Sequence, residues 1–213
     1  MAEPHDELVA VFDAAGRAVG AMPREEAKRS GLAVGAVNLL LVNARGEVLL
    51  RQRPLYKENV GRWDKSVGGH VDAGESFDAA ALREAGEELF ADGASARVHL
   101  TQDAAQLARR MGELDLRHDV LFRRAALQLN LRDVRLVPGG GVRNVVYHVA
   151  SYLGRTDVPI EGFRPAAGEI AGLRYAEPAL VDALLVAGAL APNMAFLWLT
   201  HARALLELAR RPA

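Results

Sequence analysis

Gly69-His70-Val71-Asp72-Ala73-Gly74-Glu75 is followed, eight residues after Glu75, by Arg83-Glu84-Ala85-Gly86-Glu87-Glu88. The first segment reads as a glycine-rich loop and the second as a helix. At 100° per residue, Glu84, Glu87 and Glu88 fall within an arc of roughly 100° on one helix face. Like charges at i, i+3 and i+4 repel by about 0.2–0.5 kcal/mol per pair. A helix selected for stability alone would avoid them. A hard divalent cation reverses the sign, because Mg²⁺ is held by carboxylates together with the phosphates of its substrate. For the helix taken alone, a solvated acidic face is the other reading.

Several elements must hold that helix in place. Ser76 is a good N-cap and Asp78 complements the dipole in the first turn. Leu82, Ala85 and Leu89 lie beside the carboxylate arc and are expected to face a core. Gly93 is the expected residue just past the helix. Upstream, residues 8–12 and 17–20 read as a hairpin and 24–30 as a polar helical turn or two. The apolar run 34–42 and residues 48–53 read as partner strands around the turn Asn43-Ala44-Arg45-Gly46. Residues 67–72 form a short strand. Residues 135–153 read as a strand hairpin and 169–175 as a further strand. Pro178 suits the first turn of a helix over 179–187. Pro192 opens a last helix, 192–211, with Met194, Trp198, His201, Leu205 and Leu208 on one stripe. Those residues are expected to face the core or a second subunit.

The chain has 213 residues, 50% of them hydrophobic and 25% charged, which suits one well-packed domain with insertions. A formal net charge of −1 gives no electrostatic reason to expect a nucleic-acid polymer or an anionic membrane as partner. No cysteine is present, which excludes disulfides, thiolate nucleophiles and cysteine metal sites. The segment from Met1 to Glu7 is acidic and lacks the layout of a signal peptide. No apolar run approaches the ~20 residues of a membrane span. A cytoplasmic protein is the expectation.

Gly69, Glu75, Arg83, Glu84, Ala85, Glu87, Glu88 and Ala91 resemble the Nudix box. That pattern is Gly, five residues, Glu, seven residues, then Arg-Glu-hydrophobic-x-Glu-Glu-x-Gly-hydrophobic. Phe90 stands where the pattern has its late glycine, which suggests a helix extended by a turn. The resemblance implies a single Nudix domain over 1–213 of the α/β (α+β) class, a mixed β-sheet sandwiched between helices. Residues 1–33 would form an N-terminal hairpin and short helix. Residues 94–132 fit no usual part of that fold and read as a helical insertion, a lid or a specificity element.

Three further stretches resemble the isopentenyl-diphosphate-isomerase-like group of Nudix proteins. They are residues 7–32, Asn43 through Arg51-Gln52-Arg53, and Gly61-Arg62-Trp63-Asp64-Lys65-Ser66-Val67-Gly68-Gly69-His70-Val71. That group contains isomerases and hydrolases. The isomerases place a catalytic cysteine where this chain has Val67 and Gly68. They carry a metal-binding His-Arg-Ala segment where this chain has Val34-Gly35-Ala36. His70 alone survives among the isomerase-like metal ligands. An alkene isomerisation needs a proton donor and a base on opposite faces, so the resemblance favours hydrolysis of a small diphosphate such as a nucleotide.

The resemblance implies that Glu84, Glu87 and Glu88 bind Mg²⁺ or Mn²⁺, with Glu84 and Glu88 as direct ligands and the Gly69 carbonyl as another. Glu87 would hold a second ion or activate water. Arg83 would pair with Glu75 and fix helix against loop. Arg51 and Arg53, two apart on a strand, share one face and suit phosphate, although a solvated sheet edge would serve equally. Lys65 and Arg62 are further phosphate candidates. Trp63 could stack on a base or belong to the core. His70 could line the site or satisfy a backbone group. Glu169 is a candidate distal carboxylate. Tyr147 and His148 alternate, so one of them can face the cleft. An isomerase of isoprenoid diphosphates and a non-catalytic ligand-sensing module are the competing readings. The partner expected is a small diphosphate, and a homodimer is compatible with the family.

Overall fold

The apolar run beginning near residue 34 is the middle of the sheet. β3 (Ala33–Val42) is paired in parallel with β9 (Gly141–Arg155) along its whole length, from Ala33 opposite Val146 to Val42 opposite Arg155. Covered on both faces, it reads as a nearly unbroken apolar strand rather than an alternating one. The computed structural model describes residues 7–55, 59–91, 96–137, 141–166 and 168–210.

The other edge of β3 is shared by three strands. β1 (Leu8–Phe12) pairs at Ala33 and Val34, and β6 (Val67–His70) pairs from Ala36 to Leu39. β4 (Val48–Gln52) meets β3 only at Val42–Val48. Beyond that rung β4 splays away and pairs with β10 (Gly172–Ala176) and β5 (Trp63–Asp64). The hairpin partnership expected from sequence is therefore a single rung. The splay opens a gap between β4 and β6, and the candidate site occupies it. The main order is β10-β4-β3-β9-β8-β7, with β7 at Val98–Thr101 and β8 at Val120–Val137.

Three cores flank this sheet. α2 (Phe77–Phe90) presses Ala81, Ala85 and Leu89 against Val37, Leu39, Leu41, Phe122 and Tyr152. Complete burial of a side chain such as Leu89 is worth about 1.5–3 kcal/mol. Ser76 caps the helix, its hydroxyl accepting the Ala79 N–H at 3.1 Å. On the opposite face, α3 (Ala104–Met111), α4 (Pro178–Val186) and α5 (Pro192–Ala209) enclose a second core. Leu107, Met111, Val181 and the α5 stripe Met194, Trp198, Leu205 and Leu208 meet there over Leu40, Leu50 and Leu153. His201 remains half-buried beside that stripe. The hairpin of β1 with β2 (Ala18–Pro23) and the short α1 (Arg24–Ala27) build a third core from Val9, Val11, Ala27, Val34 and Val149.

Two expectations need correction. α2 ends at Phe90, and Ala91 takes the left-handed conformation at φ 58°; Gly93 lies outside the described residues. Phe90 is thus the last helical residue, held by Phe163 at 5.9 Å between ring centroids and by the Arg97 guanidinium 4.1 Å over its ring. The span 94–132 is also not one insertion. Its helix is α3, but from Val120 onward it is β8, paired with β9 from Leu121 opposite Arg155 onwards. The alternation of 120–132 is obscured because that strand is irregular, with register shifts at Arg124/Ala126 and Gln128/Leu131. The hairpin expected at 135–153 is the distal part of this longer ribbon, and residues 138–140 of its turn lie outside the described residues. No helix among the described residues is long and apolar enough to cross a membrane.

Candidate active site

Gly68 and Gly69 are the pivot of the site. In the β3–β6 ladder, Asn38 faces Gly68 and Val37 faces Gly69. Successive strand residues point to opposite faces, so each glycine leaves room on a different side. A Cβ on Gly69 would stand 1.9 Å from Cδ and Oε1 of Glu84, and one on Gly68 would stand 2.0 Å from Cε of Lys65. The two glycines admit a carboxylate from α2 on one side and an ammonium stem on the other.

Glu88 closes the edge of the same strand. One of its carboxylate oxygens accepts the Gly68 N–H at 2.9 Å, and the other is ion-paired with Arg51. Arg51 also donates to the Gly68 carbonyl at 3.3 Å and lies 3.9 Å from Asp64. Asp64, fully buried, takes Arg53 at 2.8 Å and stands 3.4 Å from the Lys65 ammonium. Burial pushes the Asp64 carboxyl up, but Lys65, Arg51 and Arg53 together hold it below the usual carboxylate range. Burial lowers the Lys65 ammonium from its ordinary value, against the pull of Asp64. Although burial opposes it, the charges of Glu88 and Asp64 keep the Arg51 guanidinium firmly protonated.

Arg83 organises the other side. Its Nε and Nη2 donate to the two Glu75 oxygens, each at 3.1 Å, and Nη2 also reaches the His70 carbonyl at 2.9 Å. Nη1 donates to Glu84 at 2.9 Å and Glu87 at 3.1 Å. This fork ties loop to helix and holds two box carboxylates at once. Burial, then the neighbouring Glu88 charge, pushes Glu84 up to about 8 despite Arg83. Burial also raises Glu87, with Arg83 opposing.

A cleft of ≈ 1070 Å³ runs through the gap. It gathers Glu84, Glu87, Glu88, Arg83, Gly69, Arg51, Arg53, Lys65, His70 and Glu169. Glu75 lies behind Arg83 rather than on the wall. Trp63 is not brought to the cleft: it packs against the second core, with Arg174 5.2 Å over its ring. The stacking role is therefore corrected to a core role, fixed by backbone bonds from Trp63 N–H to Ala189 and from Ala191 N–H to Trp63. Arg62 likewise points away, to the Leu190 carbonyl at 3.3 Å. Of the alternating pair, Tyr147 lines the cleft. His148 is fully buried: its Nε2 lies 2.8 Å from the Asp13 carbonyl, and Nδ1 accepts the Asn130 N–H at 3.0 Å. No residue of α3 reaches the cleft, so this helix is not a lid over it.

Sequence reasoning missed several lining groups. Arg24 and Lys28, from the N-terminal segment, reach the cleft, as do Arg132 and Asp133 of β8 and Asn38 of β3. Asp64, which does not line the cleft, collects its three cations from residues up to 13 positions away in the chain, so only its place beside Lys65 hints at the network. Among the described residues, no three acidic or histidine side chains stand together as a ready ligand set; Arg51 and Arg83 each draw box carboxylates toward themselves. The donors still fit a divalent cation. Glu84 is buried beside the Glu88 carboxylate, and burial first, then the Glu88 charge, raises its proton affinity despite Arg83, so that a hard cation would suit this pair of oxygen donors.

Residues 32–127 match the family model of the NUDIX domain. An uncharacterized Nudix hydrolase of Pseudomonas aeruginosa is 39% identical over 94 residues, covering 44% of this chain and 56% of that protein. An isopentenyl-diphosphate Delta-isomerase of Nocardia farcinica is 43% identical over 83 residues, covering 38% of this chain and 47% of that protein. The chain spans about half the length of the curated relatives it matches. The crystal structure of DR0079 from Deinococcus radiodurans shares the fold at a TM-score of 0.61 and 21% identity, covering 93% of this chain and 98% of that one. The box in register, the splayed mixed sheet and the family model agree on a NUDIX domain at residues 32–127, and the relatives it resembles are named both as Nudix hydrolases and as isopentenyl-diphosphate isomerases.

Proposed function

We propose that the chain is a divalent-metal-dependent hydrolase that cleaves a phosphoanhydride bond in a nucleotide or related small diphosphate. The observation that carries this reading is the junction at Gly68–Gly69. There the carboxylates of α2 and the cations Arg51, Arg53 and Lys65 meet in one cleft. Phosphoanhydride cleavage needs both signs side by side: anions to hold a metal and cations to hold the phosphates.

Glu84 and Glu88, with the Gly69 carbonyl, would hold Mg²⁺ or Mn²⁺, and Glu87 would hold a second ion or orient water. The ion would neutralise phosphate charge and acidify a bound water. For Glu88 to serve, it must exchange Arg51, and the freed guanidinium then offers its planar fork to a phosphate oxygen pair. Lys65, buried at the cleft floor, contributes a fixed positive charge. Arg83, on the cleft wall, and Glu75 behind it position the helix against the loop. Glu169 comes into the cleft from the loop before β10 and is the candidate for a distal base.

The isomerase reading has named relatives in its favour but lacks its chemistry here. The chain has no cysteine, and Val34, at the metal-histidine position, is fully buried in the third core. A sensing module has no use for a complete set of box glutamates. Phosphate release should be measured with Mg²⁺ over nucleoside di- and triphosphates, nucleotide sugars, dinucleotides and an isoprenoid diphosphate. Turnover left unchanged by Glu84→Gln and Glu88→Gln overturns the site assignment. Absence of turnover together with absence of metal binding favours the module.

A further inference from the structure

Asn38 sits in the middle of β3, on the cleft wall, and is only 8% exposed. A carboxamide offers two N–H donors and two acceptor lone pairs. Among the described residues, none of them is engaged by another side chain or backbone group. The Asn38 carboxamide is not among the sealed polar atoms of the described residues; it opens onto the cleft, where a ligand can take the place of water on its donors and acceptor. The other buried asparagine shows what a structural role looks like. Asn43 donates to Glu47 at 2.7 Å and accepts the Arg45 and Glu47 N–H groups at 3.0 Å. The neighbouring hydroxyl that could satisfy Asn38 is turned elsewhere: Ser151, its partner on β9, donates to Gln128 at 3.2 Å.

The place of Asn38 gives the missing partner its chemistry. It faces Gly68 across the ladder, and Gly68 is where Glu88, Arg51 and Lys65 converge. The cleft lining shared with it is mixed, with Ala36, Val149 and Leu131 beside the polar Tyr147, Arg24, Lys28 and Arg132. A diphosphate on the cations would place its attached group along this lining, with the Asn38 carboxamide beside the cation cluster as a polar contact. A pure hydrocarbon would leave the amide unsatisfied, whereas a ribose hydroxyl or a base edge pairs with both its donor and its acceptor. Resting on the hydrolase reading above, we propose that Asn38 is a specificity-determining residue that hydrogen-bonds the nucleoside part of a nucleotide substrate and selects it over an isoprenoid.

The test is equilibrium binding to the purified chain by calorimetry. The probes are AMP, GMP, CMP, UMP, isopentenyl monophosphate and inorganic phosphate. At least one nucleotide should bind about 10-fold more tightly than phosphate or isopentenyl monophosphate. Asn38→Ala should remove that margin, about 10-fold, and leave phosphate affinity unchanged. Asn38→Leu, which refills the volume, should behave alike and melt no lower than the parent, so a folding defect cannot mimic the result. Equal loss of nucleotide and phosphate affinity would make Asn38 a phosphate contact and overturn the proposal. Unchanged nucleotide affinity in both variants, or isopentenyl monophosphate as the tightest ligand, also overturns it. Because no turnover is involved, these outcomes are independent of whether phosphate is released in the hydrolase assay.

Discussion

Replacing Glu84 by glutamine should stabilise the metal-free protein while removing its response to metal. Glu84 is 8% exposed and lies against the backbone of Gly69, with its proton affinity raised from an ordinary 4.5 to about 8. A carboxyl whose folded pKa is raised gives stability that is fully present below the unfolded value and lost as pH climbs through the folded one. The window is therefore pH 4.5 to about 8. At 1.36 kcal/mol per unit, the ionisable side chain costs the metal-free fold about 4 kcal/mol near pH 7.5. Glutamine keeps an oxygen for Arg83 but forfeits about 1 kcal/mol of charge assistance. A net gain of about 3 kcal/mol corresponds to a melting point higher by roughly 6–12 °C for a chain of this size. Thermal melts in chelator at about pH 5, 7 and 9 should show the gap between variant and parent widening with pH. Millimolar Mg²⁺ should then raise the parent and leave the variant nearly unmoved. A variant that melts below the parent at pH 9 in chelator would refute the buried-charge argument. Equal Mg²⁺ shifts in both proteins would refute Glu84 as a ligand.

Three further outcomes follow from the same contacts. Arg51→Met leaves Glu88 and Asp64 with one cation fewer and should cost about 3–5 kcal/mol in urea titration, part of it restored by Mg²⁺ replacing the guanidinium at Glu88. In Gly69→Ala the new methyl displaces the Glu84 carboxylate, the mobile end of a side chain, so folding should survive while kcat falls by about 10²-fold, read by phosphate release with a melting-point control. His148→Leu leaves the Asn130 N–H unpaired and the Asp13 carbonyl with only the Gly16 N–H, and should cost about 1–3 kcal/mol of stability, with KM for any diphosphate substrate unchanged because the ring points away from the cleft.

Local elements were the legible part of the fold. The cap at Ser76, the apolar side of α2 and the proline-opened helices all depend on contacts within about four residues, and periodicity exposes them. The sheet was less legible. The long ribbon of β8 and β9 hides behind register shifts, and the end of α2 at Ala91 depends on tertiary contacts at Phe90 rather than on a glycine. Trp63 could be placed only once the backbone bonds of β5 to residues 189–191 had turned it toward the second core.

Sequence by itself determined the chemistry that is available: the spacing of Gly69, Glu75, Arg83, Glu84, Glu87 and Glu88, and the absence of any thiol. These are properties of residue type and of one helix, which short-range geometry dictates. Tertiary structure alone decided the partners. Arg51 and Glu88 lie 37 residues apart and meet because β4 leaves β3 after one rung. The same splay leaves Asn38 on the wall of an open cleft instead of beneath a neighbouring strand. Strand pairing is a long-range choice of register, so which charges neutralise one another, and which polar group is kept for a ligand, is settled only when the sheet is assembled.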